Sequence, residues 1–270
     1  KLGSLTESGV TCFEELTVDR INVGGYETVT ADRKELSAWI TGQCLERRTA
    51  AAPPAMVFSS NGQGIALRGR NPDFDRAMRA ADVVHADGMS VVMASRLLAP
   101  QAIRERSATT DLFHDVARDA VAHGLNFYVL GGTEDQNRRA VHAMLALYPD
   151  LRIVGRRNGY FGRDEDAEVC RSIVAAGTDV LWVGLGKPLQ ETWSHANRGR
   201  LHGVGCIKTC GGLYSYLTGD AARAPLWMQR TGLEWLFRLA QEPNRLMRRY
   251  LVTNTVSAWR LLTQTGSRGT

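Results

Sequence analysis

Short apolar runs alternate with amphipathic stretches along most of this chain, and no other feature limits its fold as strongly. The runs are rich in Val, Ile, Leu and Phe, which is typical of strands buried on both faces. Six are predicted as strands: Met56–Ser59, Val83–His85, Phe127–Leu130, Arg152–Val154, Val180–Val183 and Cys206–Thr209. Helical patterns separate them at Asp111–His123, Asp135–Leu147, Ala167–Ala176 and Leu189–Asn197. This rhythm predicts an α/β fold whose parallel sheet is covered by helices on both faces.

The pattern changes after Gly219, where only helical periodicity continues, from Asp220 to Arg260. We therefore predict a sheet-containing core over residues 1–219 and a helical appendage over residues 220–270. The appendage mixes Trp, Leu and Phe with six arginines: Arg223, Arg230, Arg238, Arg245, Arg248 and Arg249. Basic and apolar residues interleaved over several turns favour a surface that rests on anionic lipid, although a solvated helix face has a similar composition.

Composition narrows the class of protein. The 270 residues carry a net charge of +5, which permits an anionic partner without naming one, and no recognition module supports nucleic acid. Five scattered cysteines complete no metal-ligand pattern and are predicted to be buried thiols in a reducing compartment: Cys12, Cys44, Cys170, Cys206 and Cys210. No apolar run is long enough to span a bilayer and no signal-peptide pattern is seen, so we expect a cytoplasmic protein.

Polar and glycine-rich loops follow five of the predicted strands. In chain order they are Ser59-Ser-Asn-Gly-Gln63, Ala86-Asp-Gly88, Gly131-Gly-Thr133, Gly184-Leu-Gly-Lys-Pro188 and Gly211-Gly-Leu213. The carboxyl ends of parallel strands meet at one edge of a sheet, where glycine lets the backbone approach a phosphate and helix N-termini offer N–H groups. One such loop is ordinary turn structure, but several at one edge favour a nucleotide diphosphate site.

The glycine spacing argues against a dinucleotide site. Gly184-x-Gly186 is followed by Leu189 where the fingerprint requires a third small residue, and no acidic residue ends the next strand. A nucleotide-dependent oxidoreductase or epimerase is therefore the weaker alternative. A non-enzymatic, membrane-associated scaffold is a third hypothesis, against which the glycine loops and Asp87 argue.

Asp87 is the carboxylate best placed for chemistry, because it lies directly after the predicted strand Val83–His85. It could accept the proton of an attacking sugar hydroxyl, but Asp-Gly is equally common as a turn or helix cap.

Asp164-Glu-Asp166 matches the metal-binding pattern Asp-x-Asp, yet it precedes a helix whose dipole such acids complement. We predict no cofactor. If no metal balances a departing diphosphate, arginines and helix N-termini must do so, and Arg104 and Arg106 stand in a suitable loop.

Eight segments carry a family resemblance that runs from about Ile21 to Tyr250. They are Ala81-Asp-Val-Val-His-Ala-Asp-Gly88, Glu105-Arg-Ser-Ala-Thr-Thr-Asp111, Val129-Leu-Gly-Gly132, Gly159-Tyr-Phe161, Val183-Gly-Leu-Gly-Lys-Pro-Leu-Gln-Glu191, Arg223-Ala-Pro225, Gly232-Leu-Glu-Trp-Leu-Phe-Arg-Leu239 and Glu242-Pro243. In this order they resemble the WecG/TagA/CpsF glycosyltransferases, including the GumM-like exopolysaccharide branch. The resemblance implies a Rossmann-like core of the GT-E type and an inverting, metal-independent enzyme. It also implies a UDP-sugar donor, a polyprenyl-diphosphate-linked acceptor, and an appendage that docks on the membrane and helps complete the site.

The resemblance further implies roles for individual residues. Asp87 is the general base, and Arg106 supports the departing diphosphate unless the alignment shifts by two residues to Arg104. Acceptor-binding residues are Ser59, Asn61, Thr110 and Asp111. The strand-end loops and the resemblance together predict the donor-binding residues Gly131, Gly132, Gly184, Gly186, Lys187, Gln190, Glu191, Gly211 and Gly212. The six appendage arginines face the membrane or the diphosphate.

Two departures from the family pattern bear on the substrate. Ser59-Ser60-Asn61 stands where members commonly read Thr-Pro-Asn, so Ser59 would replace the threonine hydroxyl. Tyr214-Ser215-Tyr216 stands where many carry Phe-Asp-Phe, which removes a carboxylate. Glucose or glucuronic acid is favoured as the transferred sugar, with N-acetylmannosamine-type donors of wall teichoic acid or enterobacterial antigen as the alternative. We expect a peripheral protein on the inner face of the bacterial cytoplasmic membrane, and a homo-oligomer is compatible with this sequence.

Overall fold

The computed structural model describes residues 19–50 and 52–266 and has a parallel sheet at its centre. The strands are β1 (Arg20–Val23), β2 (Tyr26–Val29), β3 (Ala55–Ser60), β4 (Val83–Ala86), β5 (Asn126–Gly131), β6 (Arg152–Arg157), β7 (Val180–Gly184) and β8 (Cys206–Thr209). Within the described part, β4-β3-β8-β7-β5-β6 is the order of the six-stranded sheet, and each neighbouring pair is parallel. β1 and β2 form a separate antiparallel hairpin.

Helices surround this sheet and continue beyond its last strand. They are α1 (Arg33–Ala50), α2 (Gly62–Leu67), α3 (Pro72–Arg79), α4 (Met89–Leu98), α5 (Thr109–His123), α6 (Glu134–Leu147), α7 (Asp166–Ala175), α8 (Leu189–Asn197), α9 (Leu213–Leu217), α10 (Leu226–Thr231), α11 (Glu234–Gln241) and α12 (Pro243–Thr263). Short 3-10 turns lie at Arg163–Glu165 and Arg198–Arg200. The predicted parallel α/β sheet flanked by helices is confirmed, and so are its six strands and four intervening helices.

The core consists of two apolar layers, one on each face of the sheet. In β7, Val180 and Trp182 point into the layer that holds α1, α5 and α6, whereas Leu181 and Val183 point into the layer of α2, α3, α4, α7 and α8. Successive strand residues face opposite sides, so a strand covered on both faces is apolar at most of its positions. This explains why continuous apolar runs, without alternation, predicted the strands. The thiols of Cys44, Cys170, Cys206 and Cys210 are free and buried; Cys12 lies outside the described residues.

The hairpin of β1 and β2 was not predicted. Its strands are four residues each, and polar Asn22, Glu27 and Thr28 interrupt the apolar pattern. The signal that was present is Gly24-Gly25, both of which have positive φ angles (61° and 90°), as a two-residue hairpin turn requires.

Three helices form the predicted appendage, and they pack on the core. α12 lies along α2, where Arg260 Nη1 donates to the Ile65 carbonyl at 2.6 Å and Arg68 Nη1 donates to Gln264 Oε1 at 2.7 Å. Leu246 and Leu261 are buried on this side of α12. No helix among the described residues is long and apolar enough to cross a membrane. The division of the chain at residue 219 stays a prediction.

A buried asparagine fastens the glycine end of β5 to the end of β6. The Asn137 side-chain amide donates to the carbonyls of Val129, Gly131 and Arg157, at 3.2, 2.8 and 3.0 Å. These carbonyls stand where neighbouring strands end, and Asn137 is itself fully buried. The amide therefore satisfies acceptors that water does not reach.

We expect Asn137→Ala to lower the free energy of unfolding by about 2 kcal/mol, because it leaves buried carbonyls unpaired. Urea denaturation followed by circular dichroism measures this. The control is Arg138→Ala, which removes an exposed side chain from the next position of α6 and should leave stability unchanged. Equal stability of the two variants would contradict the assigned role of Asn137.

Candidate active site

Two cavities lie at the carboxyl ends of the parallel strands. The sheet-edge cavity, about 430 Å³, is lined by the loops after β3, β7 and β8 and by the start of α5. The appendage cavity, about 350 Å³, lies between α2, the start of α4 and helices α10–α12. Six residues line both and define the junction: Asn61, Gln63, Asp87, Arg106, Glu234 and Arg238. A ligand in one cavity is thereby brought next to a ligand in the other.

Asp87 occupies this junction and is held from two sides. Its backbone N–H donates to the Ser60 carbonyl at 2.9 Å, which fixes the chain as it leaves β4. One carboxylate oxygen accepts the backbone N–H of Thr109 at 2.8 Å, and the other accepts Asn61 Nδ2 at 3.2 Å. Thr109 is the first residue of α5, so Asp87 serves as a cap of a distant helix while it also faces both cavities. The cap and the candidate base are one carboxylate.

The electrostatic surroundings keep the Asp87 carboxylate charged. Burial alone would raise its pKa, but the Arg106 guanidinium and the hydrogen bonds from Thr109 and Asn61 outweigh burial and lower the pKa to about 2. His85 lies beneath it, wholly buried, and burial together with Lys208 lowers the pKa of this imidazole to about 3. At neutral pH the acid is therefore an anion and the neighbouring histidine is neutral. An ionised carboxylate is the form that can accept a proton.

The structure separates the two candidate arginines. Arg106 Nε donates to the Asp87 carbonyl at 2.8 Å, and its Nη2 pairs with Glu234 at 2.7 Å. Arg104 points away from both cavities and pairs with Glu35 on α1. The alignment with Arg106 is thus the one that brings a guanidinium to the junction.

The predicted donor glycines fall into two groups. Gly184, Gly186, Gly211 and Gly212 line the sheet-edge cavity. Gly186 and Gly211 have positive φ angles and open space where a side chain would stand. Gly131 and Gly132 do not line it. A Cβ on Gly131 would lie 2.4 Å from the Gly184 carbonyl oxygen, so this glycine allows β5 and β7 to approach each other rather than admitting a ligand.

Lys187, Gln190 and Glu191 form a buried network behind the same cavity. Lys187 Nζ donates to Glu191 at 2.6 Å and to the Ser59 carbonyl at 2.8 Å. Gln190 donates to Glu191 at 2.9 Å and accepts the Gly211 N–H at 3.1 Å. Lys187 and Gln190 reach the cavity lining, but the Glu191 carboxylate is completely buried. The network joins the loops after β3, β7 and β8, and Glu191 is placed to hold them rather than to touch a ligand.

The predicted acceptor residues are also divided. Ser59, Asn61 and Thr110 line the sheet-edge cavity, and Asn61 and Asp87 reach the appendage cavity too. Asp111 lines neither cavity. Its carboxylate is paired with Arg223 and lies 3.7 Å from Arg33, so it ties α5 to the appendage.

The appendage arginines occupy different surroundings. Arg238 lines both cavities and lies over the Tyr216 ring at 5.8 Å, and no carboxylate of a described residue is within ion-pair distance of it. Arg223 is engaged with Asp111 and Gln229, and Arg230 is exposed. The side chains of Arg245, Arg248 and Arg249 lie outside the described residues.

The acidic motif after β6 has structural partners. Asp166 accepts the Trp193 indole N–H at 2.8 Å and lies at the start of α7. Within residues 19–50 and 52–266, no cluster of three or more His, Cys, Asp or Glu side chains is arranged to hold a metal ion.

One site residue, Glu234, escaped the sequence analysis as a functional group; it lines both cavities and pairs with Arg106. Ser215, which stands where the family usually has a carboxylate, lines the sheet-edge cavity and accepts Gln136 Nε2 at 3.0 Å. Glu234 stands inside one of the segments that carried the family resemblance, but nothing in the segment indicates what its carboxylate faces. That contact depends on how the appendage packs, which no local pattern determines.

The sheet-edge cavity stands at the carboxyl ends of the parallel strands, which is where open α/β sheets bind their ligands. A model of the glycosyl transferase WecG/TagA/CpsF family matches residues 21–269, and the chain belongs to this family. Membership supports a glycosyltransferase role over the oxidoreductase alternative. The GumM-like branch stays a prediction.

Glu191→Ala should lower the free energy of unfolding by about 3–5 kcal/mol, because it leaves the Lys187 ammonium buried without its partner. Chemical denaturation measures the change. Glu168→Ala, which breaks the exposed pair with Arg171 on α7, is the matched control and should be neutral. A Glu191→Ala protein as stable as the control would show that Glu191 does not hold these loops.

Proposed function

We propose that this chain is an inverting glycosyltransferase that moves a sugar from a UDP-sugar to a polyprenyl-diphosphate-linked saccharide. The observation that carries the proposal is the position of Asp87, an ionised carboxylate at the junction of two cavities. One cavity suits a nucleotide diphosphate and the other opens between the core and the appendage. A base between donor and acceptor is what direct displacement requires.

In this proposal the donor lies in the sheet-edge cavity. Its diphosphate lies along the backbone of Gly186, Gly211 and Gly212, where the absence of side chains permits close approach. Arg106 and Arg238 stand at the end of this cavity that meets the acceptor side. Guanidinium groups there can balance the charge that develops as UDP departs. Transfer would thus proceed without a divalent cation, and we expect activity to be retained in excess chelator.

The acceptor enters from the appendage cavity with a sugar hydroxyl directed at the junction. As the hydroxyl oxygen forms its bond to the anomeric carbon, the bond from that carbon to the β-phosphate oxygen breaks, and its electron pair leaves with UDP. The hydroxyl proton passes to an Asp87 carboxylate oxygen. Asn61 and the Thr109 N–H hold the carboxylate in place. One displacement inverts the configuration at the anomeric carbon.

Asp87→Asn should abolish transfer, with a loss of at least about a hundredfold in kcat, because the amide cannot accept the proton. Release of UDP in the presence of a polyprenyl-diphosphate-glucose acceptor measures turnover. Calorimetric titration of the variant with UDP would show whether its donor cavity still binds the nucleotide. The matched control is Asp150→Asn, in the loop before β6, which lines neither cavity. Near-normal turnover by Asp87→Asn would remove this residue from the mechanism.

The outward face of α12 supports membrane docking. Met247, Leu251, Trp259 and Leu262 are exposed, whereas Leu246 and Leu261 of the same helix are buried against the core. A helix with apolar residues on its solvent side as well as its core side is unusual in a water-soluble protein. Leu226 and Trp227 on α10 are similarly exposed. We infer that this surface rests on the anionic inner face of the bacterial cytoplasmic membrane.

The double variant Leu251→Ser, Trp259→Ser should bind phosphatidylglycerol vesicles at least about tenfold more weakly, since two apolar side chains no longer enter the lipid. Vesicle co-sedimentation measures the partition. Leu147→Ser, an exposed leucine on α6 of the core, is the control and should bind as wild type does. Equal partition of both variants would contradict docking through α12.

The identity of the transferred sugar is the most specific part of the proposal. Glucose or glucuronic acid, transferred during exopolysaccharide assembly, is the substrate we favour on the resemblance to the GumM-like branch. A panel of UDP-sugars that includes N-acetylmannosamine donors separates this hypothesis from the teichoic-acid alternative.

A further inference from the structure

The junction between the two cavities contains a second carboxylate. Asp87 comes from the sheet, whereas Glu234 is the first residue of α11 and thus belongs to the appendage. Arg106 lies between them, with its Nε on the Asp87 carbonyl and its Nη2 on the Glu234 carboxylate. The Arg106 guanidinium is therefore bound by a core residue through one nitrogen and by an appendage residue through another.

The contacts of Arg106 with the Asp87 carbonyl and with the Glu234 carboxylate together determine the orientation of its guanidinium. A guanidinium is a rigid plane with five N–H donors, so two anchors on different nitrogens fix both its position and the direction of its remaining donors. The Asp87 carbonyl alone would fix one nitrogen and leave the plane able to turn about it. The 2.7 Å contact with Glu234 supplies the second anchor, and both side chains are mostly shielded from water, with 14% and 20% of their surfaces exposed. Shielding strengthens such a pair relative to the exposed pairs of the surface.

The other cations of the site are held differently. Lys187 is paired with Glu191 inside the core, and Arg238 lies over the Tyr216 ring. Arg106 is thus the cavity-lining cation whose orientation depends on a carboxylate of the appendage. Another ion pair across the same boundary, Arg139 with Asp220, lines neither cavity and offers a comparison.

We propose that Glu234 is a positioning residue that orients the Arg106 guanidinium toward the departing diphosphate, so that the docked appendage sets the geometry of a core side chain. This inference rests on the proposed function. Glu234 acts through Arg106 and does not touch the reacting atoms. Loss of its charge should slow the displacement while leaving binding of both substrates nearly unchanged.

A double-mutant cycle tests the proposal. Glu234→Gln should reduce kcat by about tenfold, as expected for a misoriented catalytic group, while KM for the UDP-sugar and for the acceptor changes less than about threefold. In the R106Q background the same substitution should cause no further loss, because its target is gone. Asp220→Asn, which breaks the comparison pair, should keep wild-type kcat, and vesicle binding should be the same for E234Q and D220N.

Three results would overturn the inference. A lower KM for the UDP-sugar with kcat unchanged or higher would mean that Glu234 competes with the diphosphate for Arg106. An equal loss in the wild-type and R106Q backgrounds would mean that Glu234 acts on another group. Wild-type kinetics in E234Q would mean that one anchor is enough.

Two further measurements keep the test decisive. Should E234Q fail to fold, E234D keeps the charge but shortens the side chain by one methylene, and the same cycle and criteria apply. Asp87→Asn is assayed alongside. Turnover by Asp87→Asn at the wild-type rate contradicts the proposed function itself, whereas an inactive Asp87→Asn together with an unaltered E234Q contradicts the inference alone.

Discussion

The hydrogen bond from the Thr109 N–H to the Asp87 carboxylate organises the site, because it joins the end of β4 to the start of α5. The other carboxylate oxygen accepts Asn61 Nδ2, and the side-chain oxygen Oδ1 of Asn61 caps α2 by accepting the Gly64 N–H at 3.1 Å. One partly buried anion thus aligns a strand and two helices around the point where the cavities meet. The hydrogen bonds from the Thr109 N–H and from Asn61 hold the Asp87 carboxylate in one orientation, and the same hydrogen bonds favour its ionised form.

Much of the core could be predicted from the sequence because its strands are buried on both faces. Runs such as Val180–Val183 have no polar alternation, and this property identified the inner strands of the sheet. β6 (Arg152–Arg157) differs, because it lies at the sheet edge and alternates between exposed and half-buried residues. The position of Asp87 followed from the same logic, since a residue directly after a parallel strand has to stand at the carboxyl edge. The hairpin of β1 and β2 lacks that apolar pattern and was not predicted. Its Gly-Gly turn was the one local sequence signal for it.

Contacts between distant segments could not be predicted in this way. Arg106 and Glu234 are far apart in the sequence, and their pairing depends on how α11 packs against the core. The sequence likewise does not show that Gly186 faces open space whereas Gly131 faces the backbone of β7. Both are strand-end glycines, and only the three-dimensional arrangement tells whether a ligand or a neighbouring strand occupies the space beside them.

The two-sided character of α12 has a consequence for how this protein would meet its acceptor. Its inward side walls the appendage cavity through Thr253, Asn254 and Ser257, while Leu251 and Trp259 are among the apolar side chains exposed on its outward side. If the outward side lies on lipid as proposed, the cavity opens within reach of the bilayer plane. Acceptors would then arrive by lateral diffusion, and the encounter rate would depend on their density per unit of membrane area rather than on their concentration in the surrounding volume.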